Sequence, residues 1–279
     1  MEIAGSTVLI TGAAGSIGSA IAHEFSRRGA NLVLTDRDEE RLSKLVLELS
    51  DSSDSAGSTR SNALVGDISE EAFHRRLIDA ADAVGGLDIS ILNAGIYLPG
   101  LTWEVPAEQW ARQIDVNFWG VAHGVRAALP GMIERGKGHI VAVASGAGLV
   151  ATPGLSAYVA SKHAVVGMME SVRHELNRAK AGVGASVVCP GNVVSDMAAN
   201  SLRSEDADNS GLSDQSALLA TVVQAGVDAG TGPEVVALAI AEAVESNRFW
   251  VIPHQEIAWA AADRTRRIVD GEEPVDLLG

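Results

Sequence analysis

Three residues whose types and spacing permit proton chemistry, Ser145, Tyr158 and Lys162, lie in one short stretch of the chain. The apolar run 139–144 predicts a buried strand that ends at Ser145, and a helix is predicted from position 156 onward. On that helix Tyr158 and Lys162 share one face, because they are four positions apart. An ammonium beside a phenol favours the phenolate, so we expect the pKa of Tyr158 to fall toward working pH. Such a phenol exchanges a proton with an alcohol or carbonyl oxygen, which the Ser145 hydroxyl would hold from the other side.

A glycine-rich turn near the N-terminus gives this pair its context, since a tyrosine and a lysine at helical spacing are usually plain neighbours. Residues 6–10 predict a strand, and the turn that follows has glycines at positions 12, 15 and 18 before a helix begins. Glycines let the backbone approach a ligand, and the free N–H groups of a helix N-terminus attract phosphate. The sequence therefore favours a dinucleotide site over a purely structural turn. The predicted contacts in this turn are Gly12, Ala14, Ser16, Ile17 and Gly18.

The end of the second predicted strand, 31–35, bears on the choice between NAD and NADP. Asp36 follows this strand, about 20 residues beyond the glycine turn, where a carboxylate accepts both adenosine ribose hydroxyls and repels a 2′-phosphate. Arg37 indicates the opposite preference, because a guanidinium can neutralise such a phosphate. We expect NAD, with NADP as the alternative. The structural alternative for Asp36 is a cap on the helix that begins near Asp38.

Small and polar residues follow three further predicted strands, at 63–66, 87–92 and 185–189. Because the carboxyl ends of parallel strands meet at one edge of a sheet, we expect these residues to lie close to the same cofactor. Asp67 either meets the adenine or caps the next helix. In the long helix predicted over 106–135, the polar Asn117 either marks a kink or supplies a carbonyl that orders water beside Lys162.

Composition and charge restrict the class of protein. With 279 residues, of which 47% are hydrophobic and 20% charged, the chain can bury a full core. A formal net charge of −15 repels phosphate backbones and anionic membranes, so no nucleic-acid or membrane partner is expected. The single cysteine, Cys189, permits no internal disulfide and is expected in the core. We see no signal peptide, membrane-spanning run or metal-ligand spacing, and we expect a cytoplasmic protein without a metal.

With these residues laid out, the sequence resembles the short-chain dehydrogenase/reductase family over residues 5 to about 255. Two positions depart from the usual family pattern: Leu92 stands where Asn is common, and Ser195 where Thr is common. Each replacement keeps either the packing or the hydroxyl group. The residues that carry the resemblance, in family order, are Thr11, Gly12, Gly15, Gly18, Asn93, Ala94, Gly95, Asn117, Ser145, Tyr158, Lys162, Pro190 and Gly191.

The resemblance implies a role for each residue of the predicted site. Tyr158 would be the general acid/base, Lys162 would lower its pKa and bind the nicotinamide ribose, and Ser145 would hold the substrate oxygen. Asn117 would complete a water relay through Lys162. The family also implies a homo-oligomer, dimer or tetramer, built partly from helices 106–135 and 156–180. The further cofactor contacts it implies are Asp36, Asp67, Ile68, Asn93, Ala94, Gly95, Pro190, Gly191, Val193 and Ser195.

The expected fold is one doubly wound α/β domain of the Rossmann type over residues 1–255, with about seven parallel strands and helices on both faces. A substrate lid is expected at about 192–232, and a tail over 256–279. The expected reaction is hydride transfer between NAD and a secondary alcohol or ketone. The alternatives are an NADPH-dependent ketone or 3-oxoacyl-thioester reductase and a non-catalytic NAD-binding regulator. The expected substrate contacts, mostly apolar, are Ile96, Leu98, Ala147, Leu149, Leu155 and Met197.

Overall fold

Short apolar runs rich in β-branched residues form the strands of the sheet, because such side chains pack well on a pleated surface buried on both faces. The computed structural model describes residues 1–51, 60–195, 197 and 213–275. In these ranges seven strands form one sheet in which every described pair is parallel. The strands are β1 Thr7–Thr11, β2 Asn31–Asp36, β3 Ser61–Val65, β4 Ile89–Leu92, β5 Gly138–Val143, β6 Val183–Val188 and β7 Trp250–Val251.

The strand order places a crevice at the carboxyl edge of β1. The order is β3-β2-β1-β4-β5-β6-β7, so the chain builds outward from β1 first in one direction and then in the other. Ile10 of β1 is paired with Leu34 of β2 on one side and with Ile91 of β4 on the other. In open α/β sheets, ligands bind where the winding direction reverses. The expected doubly wound, seven-stranded architecture is confirmed.

Helices cover both faces of the sheet. In β1, Val8 and Ile10 belong to one hydrophobic core and Leu9 to the other, because alternate side chains of a strand point to opposite faces. Helices α1 and α8 pack together over the first core, and α3, α5 and α6 cover the second. The helices are α1 Ser16–Arg27, α2 Glu39–Asp51, α3 Glu71–Asp82, α4 Ala107–Ile114, α5 Gly120–Arg135, α6 Ser156–Ala179, α7 Asp214–Asp228, α8 Pro233–Ser246 and α9 Gln255–Asp270.

The structure gives the helix content of three predicted segments. The long helix over 106–135 contains a π-helical turn, Asp115–Trp119, between α4 and α5. The tail over 256–279 is helical as far as Asp270, and its last four positions lie outside the described residues. The predicted lid over 192–232 also lies partly outside them, and its described part contains α7. Of the helices described, none is long and apolar enough to span a bilayer.

Candidate active site

Close packing that only glycine permits brings the turn between β1 and α1 down onto the sheet edge. Gly12 has a φ of +63°, and a Cβ there would lie 2.7 Å from Ala94 Cα. A Cβ on Gly18 would overlap the carbonyl oxygen of Gly12. At the start of α1 the N-cap Gly15 supplies no side-chain cap, and the first turn has no acidic residue. The N–H groups of this helix end therefore face the cleft without a competing carboxylate, which fits a pyrophosphate.

Asn93 ties the end of β4 to the glycine turn. Its side-chain amide donates to the carbonyl oxygens of Thr11 and Gly12 at 3.1 and 3.2 Å. The Thr11 hydroxyl in turn accepts the backbone N–H groups of Asn93 and Ala94 at 3.0 and 3.1 Å. These bonds fix the two strand ends that form the floor of the cleft.

Asp36 lies beside the glycine turn and accepts two backbone N–H groups, from Ala14 at 3.0 Å and from Asp38 at 3.1 Å. Asp38, rather than Asp36, accepts the N–H of Arg41 at 3.0 Å in the first turn of α2. Asp36 thus forms part of a turn without capping the helix, and its carboxylate lines the cleft. Arg37 and Arg41 line the cleft as well, so this end of it carries both signs of charge.

Both carboxylate oxygens of Asp67 form polar contacts with neighbouring residues. One accepts the N–H and hydroxyl of Ser69 at 2.8 and 2.7 Å, and the other forms an ion pair with Arg112 at 2.8 Å. Burial by itself would raise the pKa of Asp67, but the hydrogen bonds and the nearby guanidinium hold it below its usual value. Ile68, the next residue, has its carbonyl oxygen 2.7 Å from His74 Nε2. Asp67 therefore does not cap α3, whose N-cap residue is Glu70, and its carboxylate forms a local turn at the cleft wall.

Ser145, Tyr158 and Lys162 converge at the other end of the same cleft, which all three line. Ser145 follows β5, and its Oγ accepts the N–H of Ala147 at 3.1 Å. Lys162 is 2% exposed, and its Nζ donates to the carbonyl oxygen of Val143 at 3.0 Å. The same Nζ lies 5.6 Å from the centre of the Tyr158 ring. The strand end and the first two turns of α6 thus supply a hydroxyl, a phenol and an amine to one place.

The expected fall in the pKa of Tyr158 is wrong for this structure. Burial raises the pKa of Tyr158, and only a hydrogen bond with the Ser145 side chain acts in the other direction. Burial also lowers the pKa of Lys162 to about 8. The physical reason is that desolvation disfavours both charged forms, while the Lys162 ammonium bonds to Val143 rather than to the phenol oxygen.

Asn117 lies beneath the cleft in the π-helical turn and is fully buried. Its side chain accepts the N–H of Ile96 at 2.7 Å and donates to the Ile96 carbonyl at 2.9 Å and to Ser161 Oγ at 3.1 Å. A Cβ on Gly95 would lie 3.2 Å from Asn117 Oδ1 and 3.4 Å from Lys162 Nζ. The helix is irregular at Asn117, as one alternative expected, and the water relay stays a prediction.

Cys189 occupies the end of β6, behind this group of residues. It is a free thiol with no exposed surface, and burial raises its pKa to about 12. A protonated, buried thiol is unreactive, so Cys189 acts as a small core residue.

The cleft has a volume of about 800 Å³ and brings most of the predicted residues together. Of the substrate contacts, Ile96, Ala147, Leu155 and Met197 line it. Leu98 and Leu149 do not, because the backbone of Leu98 is bonded to the Gln113 side chain and Leu149 packs against the second core. The predicted cofactor residues that line the cleft are Gly12, Ala14, Ser16, Ile17, Gly18, Asp36, Arg37, Asp67, Ile68, Asn93, Ala94, Gly95, Pro190, Gly191, Val193 and Ser195.

Several residues of the cleft wall were missed from the sequence. Tyr97 packs edge-on against Tyr158, with ring centres 5.9 Å apart. Helix α7 closes the same end with Val223, and α9 contributes Ile257. An aromatic residue directly after the Asn93–Ile96 stretch was the one available signal for Tyr97. The residues of α7 and α9 reach the cleft only through tertiary packing.

Glu104, in the loop between β4 and α4, binds the start of α7. Its carboxylate accepts the N–H and hydroxyl of Ser213 at 3.1 and 3.0 Å and the hydroxyl of Ser216 at 2.6 Å. Ser216 also accepts the N–H of Leu101 at 2.9 Å. The described part of the predicted lid is therefore attached to the loop that follows β4.

Comparison with known proteins places the chain among dehydrogenases. The family model of the short chain dehydrogenases matches residues 6–206, which include the glycine turn and the stretch from Ser145 to Lys162. The CLA biosynthesis dehydrogenase/reductase of Lactiplantibacillus plantarum is 33% identical over 280 residues, 97% of this chain and 96% of that protein. The 1-deoxy-11-beta-hydroxypentalenate dehydrogenase of Streptomyces exfoliatus is 32% identical over 260 residues, 92% and 86% of the two chains.

A solved structure is similar over the whole chain. The crystal structure of a short chain dehydrogenase/reductase from Burkholderia phymatum in complex with NAD has a TM-score of 0.93 and 34% identity. The alignment covers 100% of this chain and 99% of that one. The similarity therefore includes the segments after residue 206, among them α7, α8 and α9.

Proposed function

The chain belongs to the short chain dehydrogenase family, and on that basis we propose that it transfers hydride between NAD and a secondary alcohol or ketone. The observation that carries the proposal is that Ser145, Tyr158 and Lys162 line one cleft together with the glycine turn and Asp36. A nicotinamide cofactor is also supported by the similar structure in complex with NAD. Bound NAD would supply the hydride acceptor for alcohol oxidation, and the residues of this chain would orient the substrate and move the proton.

Each of the three residues has a role in moving that proton. Tyr158 Oη accepts the proton of the substrate hydroxyl as the carbonyl forms, and donates it in the reverse direction. Ser145 Oγ would hold the same substrate oxygen, since Ser145 and Tyr158 line the same end of the cleft. Lys162 holds its buried amine 5.6 Å from the centre of the Tyr158 ring, and its positive charge would offset part of the cost of forming the phenolate there.

The choice of NAD over NADP follows from Asp36, and we expect a preference of at least about tenfold in kcat/KM. In Asp36→Asn the preference should fall to within about threefold, because the repulsion of a 2′-phosphate is lost while Arg37 and Arg41 stay in place. Initial rates with each cofactor measure this. The matched control is Asp38→Asn, which removes the neighbouring carboxylate and should keep the preference for NAD. Faster turnover of the unsubstituted protein with NADP would contradict the assignment.

The substrate end of the cleft supports an uncharged, apolar alcohol. Its wall consists mainly of Ile96, Leu155, Val223 and Ile257, with Tyr158 at its base. The cleft-lining arginines among the described residues are Arg37, Arg41 and Arg112, which adjoin the adenosine contacts Asp36 and Asp67. A carboxylated substrate would therefore meet no cation at this wall in the described part of the chain other than Lys162, whose Nζ bonds to Val143. A panel of secondary alcohols with NAD, read as NADH absorbance, tests both the activity and the substrate class.

The second candidate is an NADPH-dependent reductase of ketones or 3-oxoacyl thioesters, which Arg37 and Arg41 beside Asp36 favour. Oxidation of NADPH at least as fast as NADH with a ketone substrate would establish it. Cofactor binding without turnover across a broad panel would favour the non-catalytic regulator.

The homo-oligomer, dimer or tetramer, stays a prediction that light scattering of the purified protein tests, and the cytoplasmic location stays a prediction as well.

A further inference from the structure

His254, in the loop between β7 and α9, forms hydrogen bonds through both ring nitrogens. Gly191 donates its backbone N–H to His254 Nδ1 at 3.0 Å, and Nε2 lies 2.7 Å from Thr231 Oγ1. The side chain is buried, with 6% of the residue exposed. Since Nδ1 accepts an N–H, it carries no proton, and in the neutral ring the proton is on Nε2 and is donated to Thr231.

These two bonds hold the nicotinamide loop, which we define as residues 190–195. Thr231 pairs with this loop through its backbone, because Val194 donates to the Thr231 carbonyl at 2.9 Å and Thr231 donates to the Asn192 carbonyl at 3.1 Å. His254 therefore bonds to the start of the loop and also to the strand-like partner of its middle. The loop contains Val193 and Ser195, which the family resemblance implies as contacts of the nicotinamide carboxamide.

The segment after His254 packs against the same loop. A Cβ on Gly191 would lie 3.3 Å from His254 Cβ and 3.2 Å from Ile257 Cγ1. On the other side of Ile257, a Cβ on Gly146 would lie 2.8 Å from its Cδ1. Ile257 thus fills the space between the nicotinamide loop and the turn after Ser145. A displacement of residues 254–257 would therefore shift both the cofactor contacts in the nicotinamide loop and the turn that follows Ser145.

We propose that His254 is a positioning residue, which fixes the nicotinamide loop in its cofactor-binding conformation by bonding Gly191 and Thr231 at once. The proposal rests on the proposed function, because it assigns the loop to the nicotinamide. The segment lies beyond residues 6–206, which the family model matches. His254 lies at the end of the predicted domain 1–255, directly before the segment expected to be a tail.

Substitutions that remove one or both bonds test the proposal by NADH fluorescence titration and by initial rates. His254→Phe removes both bonds and should raise the Kd for NADH and the KM for NAD about tenfold, with a smaller fall in kcat. His254→Asn keeps an acceptor two bonds from Cβ for the Gly191 N–H, so it should restore most of the affinity. Thr231→Val removes only the second bond and should raise the Kd about threefold. The double variant His254→Phe/Thr231→Val should bind NADH no more weakly than His254→Phe, because both changes disrupt the same hydrogen-bond network.

His139→Phe is the matched control. It removes another buried histidine that bonds a hydroxyl, Ser186 Oγ at 2.8 Å, but at the amino end of β5, away from the cleft. It should lower the Tm without changing the Kd for NADH. A Kd for His254→Phe within about twofold of the unsubstituted protein, or a shift equal to that of His139→Phe, would overturn the proposal.

Hydrogen exchange of the cofactor-free protein separates this proposal from the proposed function. Amides of residues 191–195 should exchange faster in His254→Phe than in the unsubstituted protein and should be unchanged in His139→Phe. If the unsubstituted protein fails to bind NADH, the proposed function is wrong, and the exchange result decides the positioning role of His254. Equal amide exchange rates at residues 191–195 in His254→Phe and in the unsubstituted protein would refute that role.

Discussion

Tyr158→Phe will lower kcat by about three orders of magnitude while the Kd for NAD stays within about twofold, because only the group that moves the proton is removed. The ring itself is retained, and with it the packing against Tyr97, Leu155 and Met197. Steady-state rates give the first quantity, and fluorescence titration with NADH gives the second. The Tm should stay the same, since phenylalanine fills the same volume.

The chain offers a matched comparison, because it has only two tyrosines. Tyr97→Phe removes the other phenol hydroxyl, whose pKa burial raises, from a ring in edge contact with Tyr158. We expect a loss of at most about tenfold there, the size of a lost hydrogen bond or packing contact. Near-normal turnover of Tyr158→Phe, or equal losses in the two variants, would remove Tyr158 from the mechanism.

Lys162→Met should lower turnover by at least about a hundredfold and yet make the cofactor-free protein more stable. Methionine has a similar length and no charge to bury, whereas the burial that lowers the pKa of Lys162 to about 8 costs about 3 kcal/mol at neutral pH. Loss of the bond to Val143 offsets about 1 kcal/mol of the gain. Urea unfolding should thus show a net stabilisation of about 2 kcal/mol.

This stabilisation should depend on pH in one direction. In the unfolded chain Lys162 keeps its proton up to its ordinary pKa of 10.5, and in the folded protein burial lowers this pKa to about 8. Between these values the unfolded state binds more protons, so the unsubstituted protein gains stability as pH rises. The stability gain of Lys162→Met should therefore be complete below pH 8 and shrink above it.

Lys162→Arg, which keeps the charge but not the shape, should lose turnover without any gain in stability. A Lys162→Met variant that is less stable at every pH would contradict this account.

Features that depend on local chain geometry were predictable from the sequence. A glycine turn between an apolar strand and a helix binds through its backbone, so its type and position suffice to locate one end of the cleft. Parallel strands end at one sheet edge, so the sequence alone predicts that Ser145, Asn93 and Gly191 lie near one another. The pairing of Tyr158 with Lys162 needed only the helical repeat.

Features that depend on packing between distant segments were not predictable. The hydrogen-bond partner of His254 is a backbone N–H 63 positions away. Every residue except proline carries such a group, so no residue type in the sequence marks it. Leu98 is close to the site along the chain, yet its loop is fastened to Gln113 and turns it away from the cleft. The direction of the pKa shift of Tyr158 depends on how deeply the ring is buried, which residue types alone do not give.

The rate at which a reagent alkylates the buried thiol that follows β6 can report how often the site opens. Cys189 is the chain's sole cysteine and directly precedes Pro190-Gly191, so an alkylating reagent reaches it only when the nicotinamide loop and the strand end separate. Under native conditions the rate of iodoacetamide labelling then reports how often this separation occurs. Ligands that close the loop over the sheet will slow the labelling.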